Sequence, residues 1–138
     1  MLLTRVLSAV VLPPIAIAAV YFGGWPFALF WTVAAAAALW EWVTIVGGLR
    51  RYGWTVAGIG YAGLLLFAPV VLRGDPTLGM AAILLLFAIV WTTDIAGYFA
   101  GRAIGGPKLV PSISPKKTWS GAIAGLVGSV GVVAIGGQ

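Results

Sequence analysis

Two features of this sequence have residue types and spacing that could do chemistry. Asp94 lies inside a long apolar segment, and a polar loop over residues 101–118 follows it. A carboxylate in the middle of a membrane span costs about 2.5–3.5 kcal/mol on insertion scales, so we expect Asp94 to face a partner or a wet cavity. The loop carries four cations: Arg102, Lys108, Lys116 and Lys117. A carboxylate that binds a divalent cation, beside cations that bind phosphate, is the equipment of phosphoryl or nucleotidyl transfer.

Each of these features also has a purely structural interpretation. Asp94 could pair with Arg102 across the helix end, or accept a hydrogen bond from Tyr98 on the same helical face. The loop could be an anchor whose cations touch lipid headgroups without specificity. Ser114 or Thr118 could cap the helix that follows, and the amino end of that helix favours phosphate.

The composition excludes several classes of active site. The chain has no Cys and no His, which removes thiolate metal sites, disulfides, Cys nucleophiles and Ser-His-Asp triads. Its three carboxylates are Glu41, Asp75 and Asp94, so a metal site made by this chain must use one of them with substrate or water oxygens. The net charge of +5 is scattered among apolar blocks, with no basic stripe, so we expect no nucleic acid partner.

The elements that position these residues are apolar and long. Of the 138 residues, 62% are hydrophobic and 8% are charged, which a water-soluble domain of this size could not bury. A hydrocarbon core of about 30 Å needs about 20 helical residues. The sequence therefore predicts an all-α, polytopic transmembrane helix bundle formed by residues 1–138 as a single integral membrane domain. About five spans are expected: Val6–Phe22, Phe27–Val46, Trp54–Leu72, Leu78–Ala100 and Trp119–Ile135.

The distribution of cations predicts the sidedness of these spans. If the amino terminus is cytoplasmic, seven of the eight cations lie inside and only Arg73, beside Asp75, lies outside. This bias satisfies the positive-inside rule. The seven are Arg5, Arg50, Arg51, Arg102, Lys108, Lys116 and Lys117. We therefore expect a multi-pass membrane protein with the 101–118 loop cytoplasmic.

Glycines recur at helical spacing in three places. The segment Gly58–Gly63 matches G-x-G-x-x-G, but it lies inside an apolar span and no strand precedes it, so we reject a nucleotide fingerprint. Small residues that let helices approach closely are the better explanation. Gly97-x-x-x-Gly101 and Gly121-x-x-x-Gly125 suit the same role.

Glu41 is the second carboxylate inside a predicted span, between Trp40 and Trp42. Two interpretations remain open. It is either an interfacial group that pairs with Arg50 or Arg51, or a buried polar anchor that faces the bundle interior.

The stretch from Asp94 to Gly125 resembles the central segment of the phosphatidate cytidylyltransferases, also called CDP-diacylglycerol synthases. The residues that carry the resemblance are Asp94-x-x-Gly97-Tyr98-x-x-Gly101-Arg102-x-x-Gly105-x-x-Lys108-Leu109-x-Pro111-x-Ile113-Ser114-Pro115-x-Lys117-Thr118-Trp119-x-Gly121-x-x-x-Gly125. Trp40-Glu41-Trp42 resembles an earlier helix of the family more loosely. The family's carboxy-terminal signature, which contains carboxylates and His, is absent, so we expect a chain truncated before that region.

The resemblance implies condensation of CTP with phosphatidate in phospholipid biosynthesis, with Mg²⁺ as cofactor and membrane lipid around the protein. On this interpretation we expect catalytic roles for Asp94 and Lys117, with Asp94 either binding the metal or orienting a cationic partner. Substrate binding is expected from five further residues: Arg102, Lys108, Ser114, Lys116 and Thr118. Whether the chain forms a homodimer stays open. Two alternatives are a nonenzymatic membrane scaffold or lipid-binding fragment, and a CTP-dependent polyprenol kinase.

Overall fold

The computed structural model describes the backbone of residues 2–137 and the side chains of residues 10–137. Five helices and two short strands follow one another along the chain. Their bounds are α1 Leu2–Phe22, α2 Gly24–Ile45, α3 Tyr52–Arg73, α4 Gly79–Ala103, β1 Lys108–Val110, β2 Ser114–Thr118 and α5 Trp119–Gly136.

Four of the helices, α2 to α5, are long and apolar enough to cross a membrane. In α1 the described apolar stretch is Val10–Phe22, and the rest of the predicted first span, with the Arg5 side chain, lies outside the described side chains. Large apolar side chains are exposed along all five helices, as lipid-facing surfaces require. The predicted polytopic, all-α class is confirmed.

The first helix boundary differs from the sequence prediction for a local reason. Residues 23–26 are expected to form a turn, but α2 already begins at Gly24 and includes Pro26. The missing N–H of a proline costs nothing in the first helical turn, where backbone N–H groups have no helical acceptor. The chain reverses instead at Gly23 and Gly24, whose φ angles of +62° and +49° favour glycine.

The contacts divide the chain into two compact units, Met1–Ile83 and Leu84–Gln138. In the first unit, α2 packs on α3 where the Trp42 indole covers Gly58. Gly60 and Gly63 have open space around them, so the close-approach role predicted for this glycine segment applies to Gly58 alone. Glu41 is exposed and, within residues 10–137, forms no ion pair with Arg50 or Arg51.

Two further ionisable groups of the first unit hold backbone groups. Arg73 at the end of α3 donates from Nε to the carbonyl of Val20 at 2.8 Å, which satisfies an otherwise free carbonyl at the end of α1. Asp75 accepts through Oδ1 from the N–H groups of Thr77 and Leu78, each at 2.8 Å. The turn between α3 and α4 is therefore fixed by side chains.

The second unit contains a hairpin that the sequence analysis describes only as a loop. Strands β1 and β2 pair antiparallel, with Lys108 opposite Thr118 and Val110 opposite Ser114. The two residue steps from Lys108 to Val110 on β1 therefore lie opposite four steps on β2, so the register is irregular between these pairs. Pro115 lies within this part of β2. A proline is tolerated because both strands of a two-stranded hairpin are edges. Three prolines and no apolar alternation conceal such strands from sequence reasoning.

Candidate functional site

The site is built on close packing between the end of α4 and the start of α5. A Cβ added to Gly121 would lie 2.6 Å from the carbonyl oxygen of Gly97 and 3.3 Å from the Cα of Gly101. One added to Gly125 would lie 2.9 Å from the carbonyl oxygen of Thr93. The two backbones therefore touch through glycine, which confirms the packing role predicted for both G-x-x-x-G segments.

The start of α5 is capped from within the chain. Thr118 is buried, and its Oγ1 accepts from the N–H of Gly121 at 3.3 Å. The N–H of Trp119 donates to the carbonyl of Pro107 at 3.1 Å. Of the two capping candidates Ser114 and Thr118, the structure selects Thr118. Two N–H groups of the first turn, those of Trp119 and Gly121, thus have acceptors within the chain.

A second hydroxyl joins this cap to the turn before β1. Ser120 Oγ lies 3.0 Å from Thr118 Oγ1 and donates to the carbonyl of Gly105 at 2.5 Å. The bond spans fifteen residues and ties the start of α5 to the turn that connects α4 with the hairpin.

Beside the glycine contact, α4, α5 and the hairpin line a half-open cavity of about 620 Å³. Six of the seven residues predicted for the site line it: Asp94, Arg102, Lys108, Lys116, Lys117 and Thr118. The remaining lining is mostly apolar or glycine: Thr93, Gly97, Tyr98, Gly101, Leu109, Gly121, Ala122 and Gly125. The seventh predicted residue, Ser114, lies at the start of β2 opposite Val110 and does not contribute to this lining.

The carboxylate of Asp94 is exposed toward this space and has no hydrogen bond or ion pair among residues 10–137. Neither structural partner considered for it is realised. Tyr98 instead accepts a hydrogen bond through its Oη from Nη1 of Arg102 at 3.2 Å. The guanidinium is thereby held one turn beyond the phenol on the same helical face. Asp94 is the only carboxylate among these lining residues, and four of the other lining residues are cations.

This donor set suits a magnesium ion only in part. Among the described residues there is no group of three or more Asp, Glu, His or Cys side chains that could hold a metal. Magnesium sites that act on nucleotides commonly use one or two carboxylates and complete the shell with water and substrate phosphates. An unpaired Asp94 in a cavity lined with cations fits one ligand of such a shell.

Sequence reasoning missed one polar residue of this region, Ser120. Its type and its position in the first helical turn are a weak signal, because serine there is common and usually faces solvent. Only the folded chain shows that its acceptor is the carbonyl of Gly105.

Comparison with known proteins places the chain in a family. The model of the cytidylyltransferase family matches residues 47–138. A phosphatidate cytidylyltransferase of Brucella suis is 36% identical over 92% of this chain and 64% of its own length. A protein of the same name from Rickettsia bellii is 35% identical over 94% of the chain and 54% of its own length.

A third relative of that name, from Pseudomonas aeruginosa, is 28% identical over 91% of the chain and 67% of its own length. No solved structure matches. The chain thus spans about two thirds or less of the length of these relatives. The match to the family model covers most of the chain, including the whole cavity and the helices that form it. The chain therefore belongs to the cytidylyltransferase family.

Proposed function

We propose that this chain carries part of the active site of a phosphatidate cytidylyltransferase, which converts CTP and phosphatidate into CDP-diacylglycerol and pyrophosphate. The observation that carries the proposal is the cavity in which one unpaired carboxylate, Asp94, faces four cations. Family membership and the printed name of the relatives support the same reaction. Because the relatives are longer, the activity belongs to the whole protein and this chain supplies a portion of the machinery.

The reaction needs no covalent enzyme intermediate. An oxygen of the phosphatidate phosphate attacks the α-phosphorus of CTP, a new P–O bond forms, and the bond from that phosphorus to the bridging oxygen of the β-phosphate breaks. The electron pair leaves with pyrophosphate. Catalysis of this kind is mostly positioning and electrostatic stabilisation, because charge accumulates on phosphoryl oxygens and the leaving group.

The cavity is suited to bringing a lipid phosphate to this reaction. Asp94 lies nine residues before the end of α4 at Ala103, which is about 14 Å along the helix axis. Gly125 lies about 9 Å inside α5 from Trp119. The floor of the cavity, at Asp94 and Gly125, therefore lies within the apolar part of two helices. Its rim, at the end of α4 and in the hairpin, carries the four cations. A phosphatidate molecule has the matching polarity, since its phosphate is anionic and its acyl chains are apolar.

The proposed roles follow from this placement. Lys117 and Lys116 bind phosphate oxygens, and Arg102 and Lys108 attract the lipid phosphate or the nucleotide to the rim. Asp94 would provide one carboxylate ligand for a magnesium ion. Such an ion would supply charge neutralisation at the phosphates. The roles proposed from sequence for Ser114 and Thr118 in substrate binding stay predictions.

We further propose that the hairpin side of this unit is cytoplasmic, because the cations predicted to lie inside include all four of those at the cavity. CTP is a water-soluble substrate and phosphatidate is a membrane lipid, so the cavity must be open to both phases. A bacterial cell membrane is the location that the relatives suggest.

The test measures CDP-diacylglycerol formation from CTP and phosphatidate in mixed micelles with magnesium. The 138-residue chain and a longer version of its natural reading frame, where one exists, are assayed side by side. Asp94→Asn is expected to abolish turnover while membrane insertion is unchanged. Asp75→Asn is the matched control, because that carboxylate lies outside the cavity, and it should retain wild-type turnover.

The outcomes separate the alternatives. Wild-type turnover in Asp94→Asn would remove Asp94 from the site. A phosphorylated polyprenol as the only CTP-dependent product would replace the proposal with a lipid kinase. Absence of any CTP-dependent product from both chain lengths would leave a scaffold or lipid-binding protein.

A further inference from the structure

The hydroxyl groups of Thr118 and Ser120 at the start of α5 form a series of hydrogen bonds. The donor and the acceptor of each bond follow from the number of protons available. The carbonyl of Gly105 can only accept, so the single hydroxyl proton of Ser120 is donated to it. Ser120 has no second proton to give, so in the 3.0 Å contact with Thr118 the threonine hydroxyl must donate. Thr118 in turn accepts from the N–H of Gly121. The protons therefore run from Gly121 through Thr118 and Ser120 to Gly105.

This direction has a chemical consequence for the cavity. A phosphate at this site needs hydrogen-bond donors, because its ionised oxygens only accept. Thr118 lines the cavity, but its only hydroxyl proton is already donated to Ser120. While the chain of hydroxyls is intact, Thr118 cannot donate to a phosphate. Its contribution is to hold the start of α5 in place, next to the lysines of β2.

At its other end, this series of hydrogen bonds restrains the turn at Gly105 and Gly106. Gly105 and Gly106 have φ angles of +67° and +102°, and an added Cβ at either would meet nothing within 4 Å. This turn separates Arg102 from Lys108, which both line the cavity. Glycines of this conformation in open space are flexible unless their backbone groups are bound. The bonds that bind them to α5 are Ser120 to Gly105 and Trp119 to Pro107.

We propose that Ser120 is a positioning residue of the cavity. Its hydroxyl fixes the turn at Gly105, and thereby the positions of Arg102 and Lys108 relative to the lysines of β2. The effect on turnover rests on the proposed function, but the effect on the turn and on ligand binding does not.

The test compares three variants of the full-length protein. Ser120→Ala removes the donor, Ser120→Thr keeps it, and Ser129→Ala is the matched control. Ser129 is in the same helix, and its hydroxyl bonds only to the helix's own carbonyls at Gly125 and Leu126. Three quantities are measured: kcat/KM for phosphatidate, the Kd of short-chain phosphatidate by titration calorimetry, and amide hydrogen exchange of peptides covering residues 104–121.

We expect Ser120→Ala to lower kcat/KM about tenfold, mainly through a higher KM, because displacement of a binding group by about 1 Å costs one to two orders of magnitude. The same variant should weaken phosphatidate binding by a similar factor and speed exchange of the Trp119 amide. Ser120→Thr and Ser129→Ala should match the wild-type protein in all three measurements.

Wild-type kinetics and binding in Ser120→Ala would overturn the proposal, even if exchange became faster. Equal losses in Ser120→Ala and Ser120→Thr would also overturn it, because packing and not the hydroxyl would then be responsible. If the wild-type protein forms no CDP-diacylglycerol, the proposed function fails, and binding decides the positioning role. Weaker phosphatidate binding in Ser120→Ala alone would uphold that role, and unchanged binding would overturn it.

Discussion

Glycine permits close packing in both units of the molecule, but with different results. In the first unit, the Trp42 indole covers Gly58 so closely that an added Cβ would lie 2.5 Å from Cδ1 of the indole. In the second, Gly121 touches the backbone of α4 at Gly97. At Gly58, the indole of Trp42 fills the space beside the glycine. At Gly121, backbone meets backbone and a cavity of about 620 Å³ lies beside the contact.

The polar groups of the two regions differ in the same way. The Trp42 indole donates from Nε1 to the carbonyl of Trp54 at 2.8 Å and stacks on Tyr61. The indole N–H at the first glycine contact therefore has a hydrogen-bond acceptor. In the second unit the carboxylate of Asp94 has no partner among the described residues. An intramembrane carboxylate without a partner is costly, so the position of Asp94 at the cavity supports the proposed function. The glycine pattern alone does not distinguish the two regions, whereas the cavity lined by Asp94 and four cations does.

The largest effect is expected from adding one methyl group at each glycine contact. Gly121→Ala would place a Cβ 2.6 Å from a backbone oxygen, so α4 and α5 must separate. Overpacking of this kind costs about 1–3 kcal/mol of stability, and here it also deforms the cavity. We expect Gly121→Ala to lower the melting temperature and to reduce turnover at least a hundredfold, because the catalytic groups lie on the separated elements. Gly58→Ala should lower the melting temperature but leave turnover near the wild-type level.

Each of these variants has a control in its own helix. Gly131→Ala in α5 and Gly60→Ala in α3 add the same methyl group where nothing lies within 4 Å. Both should be neutral or slightly stabilising, because alanine favours a helix over glycine. The measurements are thermal unfolding in detergent and CDP-diacylglycerol formation. Equal loss of turnover in Gly58→Ala and Gly121→Ala would remove the distinction between a packing region and an active region.

A smaller effect is expected from the cations of β2. Lys117→Ala should raise the KM for phosphatidate about 10–100-fold, since a hydrogen bond to a charged group contributes about 1.5–3 kcal/mol. Lys116→Ala should have a weaker effect although both lysines line the cavity, because Lys117 and not Lys116 is among the residues that carry the family resemblance. Lys117→Arg retains the charge but changes the geometry, so it should restore affinity only in part.

Arg50→Ala is the control for charge, because this exposed cation lies in the first unit, outside the cavity. It should leave the KM unchanged when initial rates are compared at several phosphatidate concentrations. Small and equal effects of Lys116→Ala, Lys117→Ala and Arg50→Ala would instead support the headgroup-anchor interpretation of the loop.

Much of this fold follows from hydropathy and spacing. Apolar runs of about 20 residues predict α2 to α5, because a helix in lipid must satisfy its own backbone groups. The glycine spacing predicts the contact between α4 and α5, since residues four apart share a helical face. The same spacing also raised Tyr98 as a partner for Asp94, but the phenol accepts from Arg102 instead. Helical periodicity identifies which residues share a face. It does not determine which of two neighbours on that face, here Asp94 or Arg102, forms the hydrogen bond with Tyr98.

The parts that sequence reasoning missed depend on contacts between distant residues. The hairpin has strands of three and five residues, and its β2 contains Pro115 between polar side chains. Its stability comes from pairing and from the flanking helices, which no local pattern reports. The bond from Ser120 to Gly105 spans fifteen residues, so the residue's identity alone does not reveal its role. Six predicted site residues nevertheless meet at one cavity, because charged groups in an apolar chain are few.

The smallest effect is expected from substitution of Asp75 in the first unit. Its carboxylate accepts hydrogen bonds from backbone N–H groups and does not line the cavity. The pKa of its carboxyl is below its ordinary value because the N–H of Leu78 and the hydroxyl and N–H of Thr77 all donate to it. A depressed pKa means that the ionised form stabilises the folded state. This contribution is fully present above about pH 4, the pKa of the unfolded chain, and is lost as pH falls through the lower folded value.

We therefore expect Asp75→Ala to lower the melting temperature slightly at pH 7, and the difference from the wild-type protein to shrink as the pH falls below about 4. Thermal unfolding in detergent between pH 7 and pH 2.5 measures this. Glu41→Ala is the control, because that exposed carboxylate accepts no hydrogen bond among the described residues and does not belong to the turn at Asp75. It removes a carboxylate without removing a hydrogen bond to the backbone. Turnover at pH 7 should be unchanged in both variants. A loss of turnover in Asp75→Ala, with its melting temperature intact, would mean that the first unit also contributes ionisable groups to the reaction and would end the contrast between the two units.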